Sequence, residues 1–79
     1  MSTEQVRQIL NQHGRLSTPV DQLQDNSDLY QAGLTSLATV GVMLALEDTF
    51  DVEIPDNMLS RKTFESIDAI VDVIEQLQD

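Results

Sequence analysis

The 79-residue chain offers few groups that could do chemistry: one histidine (His13), no cysteine, and 4 Lys+Arg against 14 Asp+Glu. Without cysteine there is no thiol nucleophile, no disulfide and no zinc-thiolate site. The acidic stretches Asp25-Asn26-Ser27-Asp28 and Asp48 to Asp56 lack the ligand order, central glycine and distal glutamate of a calcium loop. They imply only weak, unspecific binding of divalent cations, and no metal site is assigned. The residue that stands out is Ser36, which follows a Gly33-containing loop and precedes a long apolar stretch. In the first turn of a helix its hydroxyl is either a cap or an exposed point of attachment. Free backbone N–H groups and the helix dipole at that end favour an attached anion. Catalysis by a Ser36–His13 pair would also need an orienting group and an oxyanion hole, and nothing in the sequence marks either.

The elements that position Ser36 follow from the apolar spacing, which is helical through most of the chain and nowhere alternates as a strand does. A first helix starts at Ser2 or Thr3, with Gln5 at the reciprocal position of a capping box, and carries Val6, Ile9 and Leu10 as a stripe up to a stop at Gly14, with His13 either extending that stripe or standing at the solvent edge of the helix end. From Arg15 to Thr35 the pattern breaks into a long loop pinned by Leu16, Val20, Leu23, Leu29 and Leu34. A loop of this length is functional or holds a helical turn of its own. The second helix runs from about Ser36 to Phe50 behind Thr35 as cap. Asp51 to Ile54 is extended, because the residue before Pro55 is driven out of the helical region. Asp56 or Asn57 then opens a short turn through Met58 and Leu59, and Thr63 or Ser66 starts a last helix with Ile67, Ile70, Val71, Ile74 and Leu77 on one face. The expected fold is all-α: one domain over residues 1–79, a small helical bundle with three longer helices, one short helix and a long first loop.

The second helix has more apolar surface than a bundle needs. Thr39, Val42, Met43, Leu46 and Phe50 fall on one side, and Leu37, Val40 and Leu44 on a neighbouring one. Periodicity allows both stripes to be core or the second to be partly exposed, and Ser36 at the helix start beside the second stripe favours an exposed stripe that meets a partner. A formal net charge of −10 disfavours nucleic acid and anionic membrane surfaces as partners and favours basic protein surfaces. No apolar run reaches the ~20 residues of a membrane span, and Met1 to Leu10 lacks the form of a signal peptide, so a cytoplasmic monomer is expected.

Read as one string, Gly33-Leu34-Thr35-Ser36-Leu37, then Val40, Ala45-Leu46-Glu47-Asp48, Phe50 and Glu53-Ile54-Pro55-Asp56, resembles the acyl carrier protein family. In that family a Gly-x-Asp-Ser-Leu motif opens the second helix. Thr63, Ile67, Ala69-Ile70 and Val73-Ile74 are similar to its final helix. The resemblance implies a carrier without catalytic activity, modified at Ser36 with 4′-phosphopantetheine from coenzyme A by a separate phosphopantetheinyl transferase. The terminal thiol of that arm would hold an acyl or aminoacyl cargo as a thioester, loaded by a ligase and passed to downstream acyl-transfer enzymes. In several members the cargo folds back between the helices.

The chain departs from the family pattern where partners dock. Thr35 replaces the usual aspartate before the serine, and Ala38 and Gly41 occupy two commonly acidic positions, while Glu47 and Asp48 keep the far end acidic. The resemblance therefore implies a specialised carrier, with Thr35, Leu37, Val40, Gly41, Leu44, Glu47 and Asp48 as the partner-binding set. It leaves open fatty-acid, polyketide, peptide and aminoacyl cargo. The competing reading is an acidic helical interaction domain with no prosthetic group. The two readings part at Ser36, because only the carrier needs its hydroxyl.

Overall fold

Three helices bury one stripe each, and these stripes make the core. The computed structural model describes residues 2–78. Its helices are α1 (Ser2–His13), α2 (Ser36–Phe50) and α3 (Ile67–Gln78), with α1 lying against both of the others. Val6 and Leu10 from α1, Val42 and Leu46 from α2, and Ile67, Ile70 and Ile74 from α3 are fully buried together with Leu29 from the long loop. The i, i+4 and i, i+3 spacing of these pairs is what sets each helix's inward face. No helix among the described residues is long and apolar enough to cross a membrane.

The long loop is tied down by buried leucines and by backbone groups. Arg7 on α1 donates to the carbonyls of Val20 and Leu23, both at 2.9 Å, and pairs with Asp25 at 2.7 Å. Leu29 N–H donates to the Glu65 carbonyl at 2.8 Å, and Asp68 N–H to the Asp25 carbonyl at 2.9 Å, so the loop is stitched to the start of α3. The loop does hold a helical turn of its own, a 3-10 turn over Val20–Gln22.

Several details differ from the sequence expectation. Ser2 is itself the first helical residue of α1 rather than a cap ahead of it, and the preceding Met1 lies outside the described residues. Of the two places open to His13, the structure gives it the exposed helix end and not the buried stripe. The single short helix becomes two 3-10 turns, Asp56–Met58 and Arg61–Phe64. Thr63 lies in the second of these with its hydroxyl donating to the Met58 carbonyl. Ser66 is thus the residue that caps α3, its Oγ accepting from Ala69 N–H at 3.1 Å.

Candidate functional site

Local hydrogen bonds fix the start of α2. Thr35 is extended, at φ −98° and ψ 164°, and its Oγ1 accepts from Ala38 N–H at 3.1 Å. The Thr35 carbonyl accepts from both the N–H and the hydroxyl of Thr39, at 2.9 and 2.7 Å. Threonine thus does the capping work of the missing aspartate without its charge. Ahead of the cap, Gly33 has φ +112°, and a Cβ there would lie 2.8 Å from Ser17 N and Oγ. Only glycine fits that turn. Leu34 and Leu29 are buried on either side of it, and Leu34 N–H donates to the Leu29 carbonyl at 3.0 Å. The chain therefore enters α2 from a fixed direction. Ser36, its first residue, is exposed.

Beside Ser36 runs an open groove of about 410 Å³ between α2 and the segment around residues 59–64. Val40, Met43, Leu59 and Phe64 form its apolar wall, and Ser36, Thr39, Ser60, Tyr30 and Arg61 supply polar edges. Tyr30 donates its hydroxyl to the Arg61 carbonyl, and the Arg61 guanidinium carbon sits 3.9 Å from the Tyr30 ring centroid. That stacking holds a cation in the groove. Burial pushes the Tyr30 hydroxyl above its ordinary pKa, against the opposing pull of Arg61 and with help from Glu65 and Asp28. The groove has no carboxylate or imidazole. It suits a long amphipathic arm: an exposed hydroxyl for attachment, a cation for a phosphodiester, polar edges for amides and an apolar wall. None of its lining residues is a carboxylate or imidazole placed to take the Ser36 proton.

The structure brings most of the expected site residues to one end of α2 and separates two of them. Leu37, Val40 and Leu44 are 83%, 51% and 56% exposed, so the second apolar stripe is uncovered along α2 from Ser36. Gly41 lies between them with open space where a side chain would stand. Glu47 and Asp48 sit roughly 16–18 Å further along the axis at ~1.5 Å per residue. Glu47 is also engaged internally: Oε2 accepts from Ile54 N–H at 2.8 Å, and its carbonyl accepts from Asp51 and Val52 as the helix ends. Ala38, which the family pattern treats as a surface position, is only 8% exposed and belongs to the core. Tyr30, Arg61, Leu59 and Met43 were not assigned to the site from sequence. Arg61 and Tyr30 stand 31 residues apart in irregular segments, and no local pattern in the sequence relates them.

Comparison with known proteins gives the site its family. Residues 4–74 match the family model described as phosphopantetheine attachment site. The chain is 51% identical to the aminoacyl carrier protein of Agrobacterium fabrum, over 94% of this chain and 89% of that one. It is 34% identical to a D-alanyl carrier protein of Lactobacillus delbrueckii subsp. bulgaricus, over 70% and 72% of the two chains. Among solved structures it matches, with a TM-score of 0.92 and 49% identity, a chain in the crystal structure of engineered Bradyrhizobium japonicum glycine:[carrier protein] ligase complexed with carrier protein from Agrobacterium tumefaciens and ATP, covering 96% of this chain and 99% of that one. A capped, exposed serine beside an arm-sized groove and a family match over nearly the whole chain agree: this chain belongs to the phosphopantetheine-dependent carrier proteins, whose cofactor is 4′-phosphopantetheine.

Proposed function

We propose that the chain is an aminoacyl carrier, with the arm on Ser36 and a dedicated amino-acid ligase as its loading enzyme. The observation that carries this reading is the exposed Ser36 at the capped start of α2, flanked by an uncharged Thr35 and the uncovered Leu37, Val40 and Leu44. The arm supplies the thiol that this cysteine-free chain lacks, and hence a thioester bond to the cargo. The chain's own residues do the positioning. Thr35 and Gly33 hold Ser36 at the surface, the Tyr30-Arg61 stack lines the same groove as Ser36 and keeps a cation there, and the apolar strip offers contact area to an enzyme. Activating the Ser36 hydroxyl falls to a phosphopantetheinyl transferase, because the groove holds no general base. The protein is then a cytoplasmic monomer without an activity of its own, and the loaded arm passes its cargo to downstream acyl-transfer enzymes. Similarity to aminoacyl and D-alanyl carriers, and to a carrier solved with a glycine ligase, supports an amino acid as cargo.

The test is to convert the protein to its phosphopantetheine form and incubate it with ATP, single amino acids and the Bradyrhizobium japonicum glycine ligase. A hydroxylamine-labile mass increase with glycine or another small amino acid is the expected result. A phosphopantetheine form that is loaded with no amino acid would refute it, as would loading by a fatty-acid-type acyltransferase as fast as an ordinary acidic carrier.

A further inference from the structure

The start of α2 is flanked by a second cavity, whose lining shares no residue with the arm groove. We propose that this cavity is a docking site for a carboxylate-bearing segment of the loading ligase; the inference rests on the aminoacyl-carrier reading. The cavity, about 530 Å³, lies between the end of α1 and the start of α2, with Gln12, His13 and Arg15 on one side and Thr35, Leu37 and Gly41 on the other. No carboxylate lines it, although the chain carries 14 Asp+Glu against 4 Lys+Arg.

The distribution of cations is what gives the cavity a sign. Arg7 is committed to Val20, Leu23 and Asp25, and Arg61 is stacked on Tyr30 in the other groove. Among the described residues Arg15 forms no ion pair, and it lines the acid-free cavity together with His13. Beside Gly41 the cavity is open space, since a Cβ there would meet nothing within 4 Å. Thr35 lines the same space and brings no charge. An Asp or Glu side chain of a partner finds opposite charge and room there. A basic partner surface meets a like charge at Arg15 and is steered away. Leu37 is shared by the cavity and the apolar strip, so one docked segment can bury the leucine and neutralise the arginine together.

The experiment measures loading of the phosphopantetheine form by the Bradyrhizobium japonicum glycine ligase with ATP and glycine, at low and at moderate salt. Circular dichroism checks the fold of each variant. The charge reversals are Arg15→Glu and Gly41→Glu in the cavity, with Arg15→Lys as the conservative variant and Lys62→Glu as a reversal away from it. At low salt Arg15→Glu and Gly41→Glu should each lower kcat/KM roughly tenfold, mainly through KM, with the deficit of Arg15→Glu shrinking as salt rises. Arg15→Lys and Lys62→Glu should stay within about twofold of the parent. Equal losses for Arg15→Glu and Lys62→Glu, or no loss for either cavity variant, overturn the docking site and leave the carrier reading standing. A parent protein that takes the arm but is not loaded at all overturns the aminoacyl reading, and the docking site with it.

Discussion

Ser36 depends on its neighbour Thr35 for its place in the structure, and the two can be tested separately. Thr35→Ala removes the acceptor for Ala38 N–H and should lower stability by about 1 kcal/mol, read by urea unfolding. Thr35→Asp keeps a cap and adds a negative charge at the helix start, so it should match or exceed the parent in stability while slowing loading by an amino-acid ligase. Tyr30 gives a pH dependence. Its pKa is raised in the folded state, so its contribution is fully present below the usual value of 10.0 and is lost as pH rises through the folded value. Stability should therefore fall above about pH 10, and less steeply in Tyr30→Phe. Thr35 and Ser36 were legible in the sequence because a cap and a first turn are local. Tyr30 and Arg61 were not, because their stacking joins two irregular segments that no periodicity relates.

At the scale of elements, α2 carries most of what can be tested. Gly41→Ala adds a Cβ into open space within a helix, and should raise stability by up to about 1 kcal/mol. Gly33→Ala places a side chain against Ser17 at a positive φ, and should lower stability by more than about 1 kcal/mol, with the Tm falling to match. An attempt to restore the family's acidic face should use Thr35→Asp with Gly41→Glu and leave Ala38 alone, because Ala38→Asp puts a carboxylate into the core and lowers the Tm. The limits of α2 were readable because Thr35 is a strong start signal and Phe50 precedes a turn before Pro55. The spacing of Leu37, Val40 and Leu44 left their burial open, and it was the serine at the helix start beside them that pointed to exposure. The start of α3 was ambiguous between Thr63 and Ser66. The choice was settled by the 3-10 turn over Arg61–Phe64, whose tertiary bond from Thr63 to Met58 leaves no local signature.

Charge governs the behaviour of the molecule as a whole. The net charge of −10 is relieved, among the described residues, by a single ion pair, Arg7 to Asp25. Repulsion among unpaired carboxylates favours the expanded chain, so counterions should stabilise the fold. The Tm should rise with monovalent salt, and at equal ionic strength rise further with millimolar magnesium or calcium. An unchanged Tm in both series would show that the carboxylates are too far apart to matter. The excess of acids could be counted on the sequence, and the all-α class could be read there too. The uneven placement of the charge could not: the two cavities at the start of α2 are free of acids only because the chain folds its carboxylates elsewhere.

The most direct test of the central claim is intact-mass analysis of the purified protein and its Ser36→Ala variant after incubation with coenzyme A and a broadly specific phosphopantetheinyl transferase. The parent should gain the mass of one phosphopantetheine, and Ser36→Ala, with unchanged helical content by circular dichroism, should gain none. An unmodified parent, or a modified Ser36→Ala, would contradict the assignment of Ser36 as the attachment site.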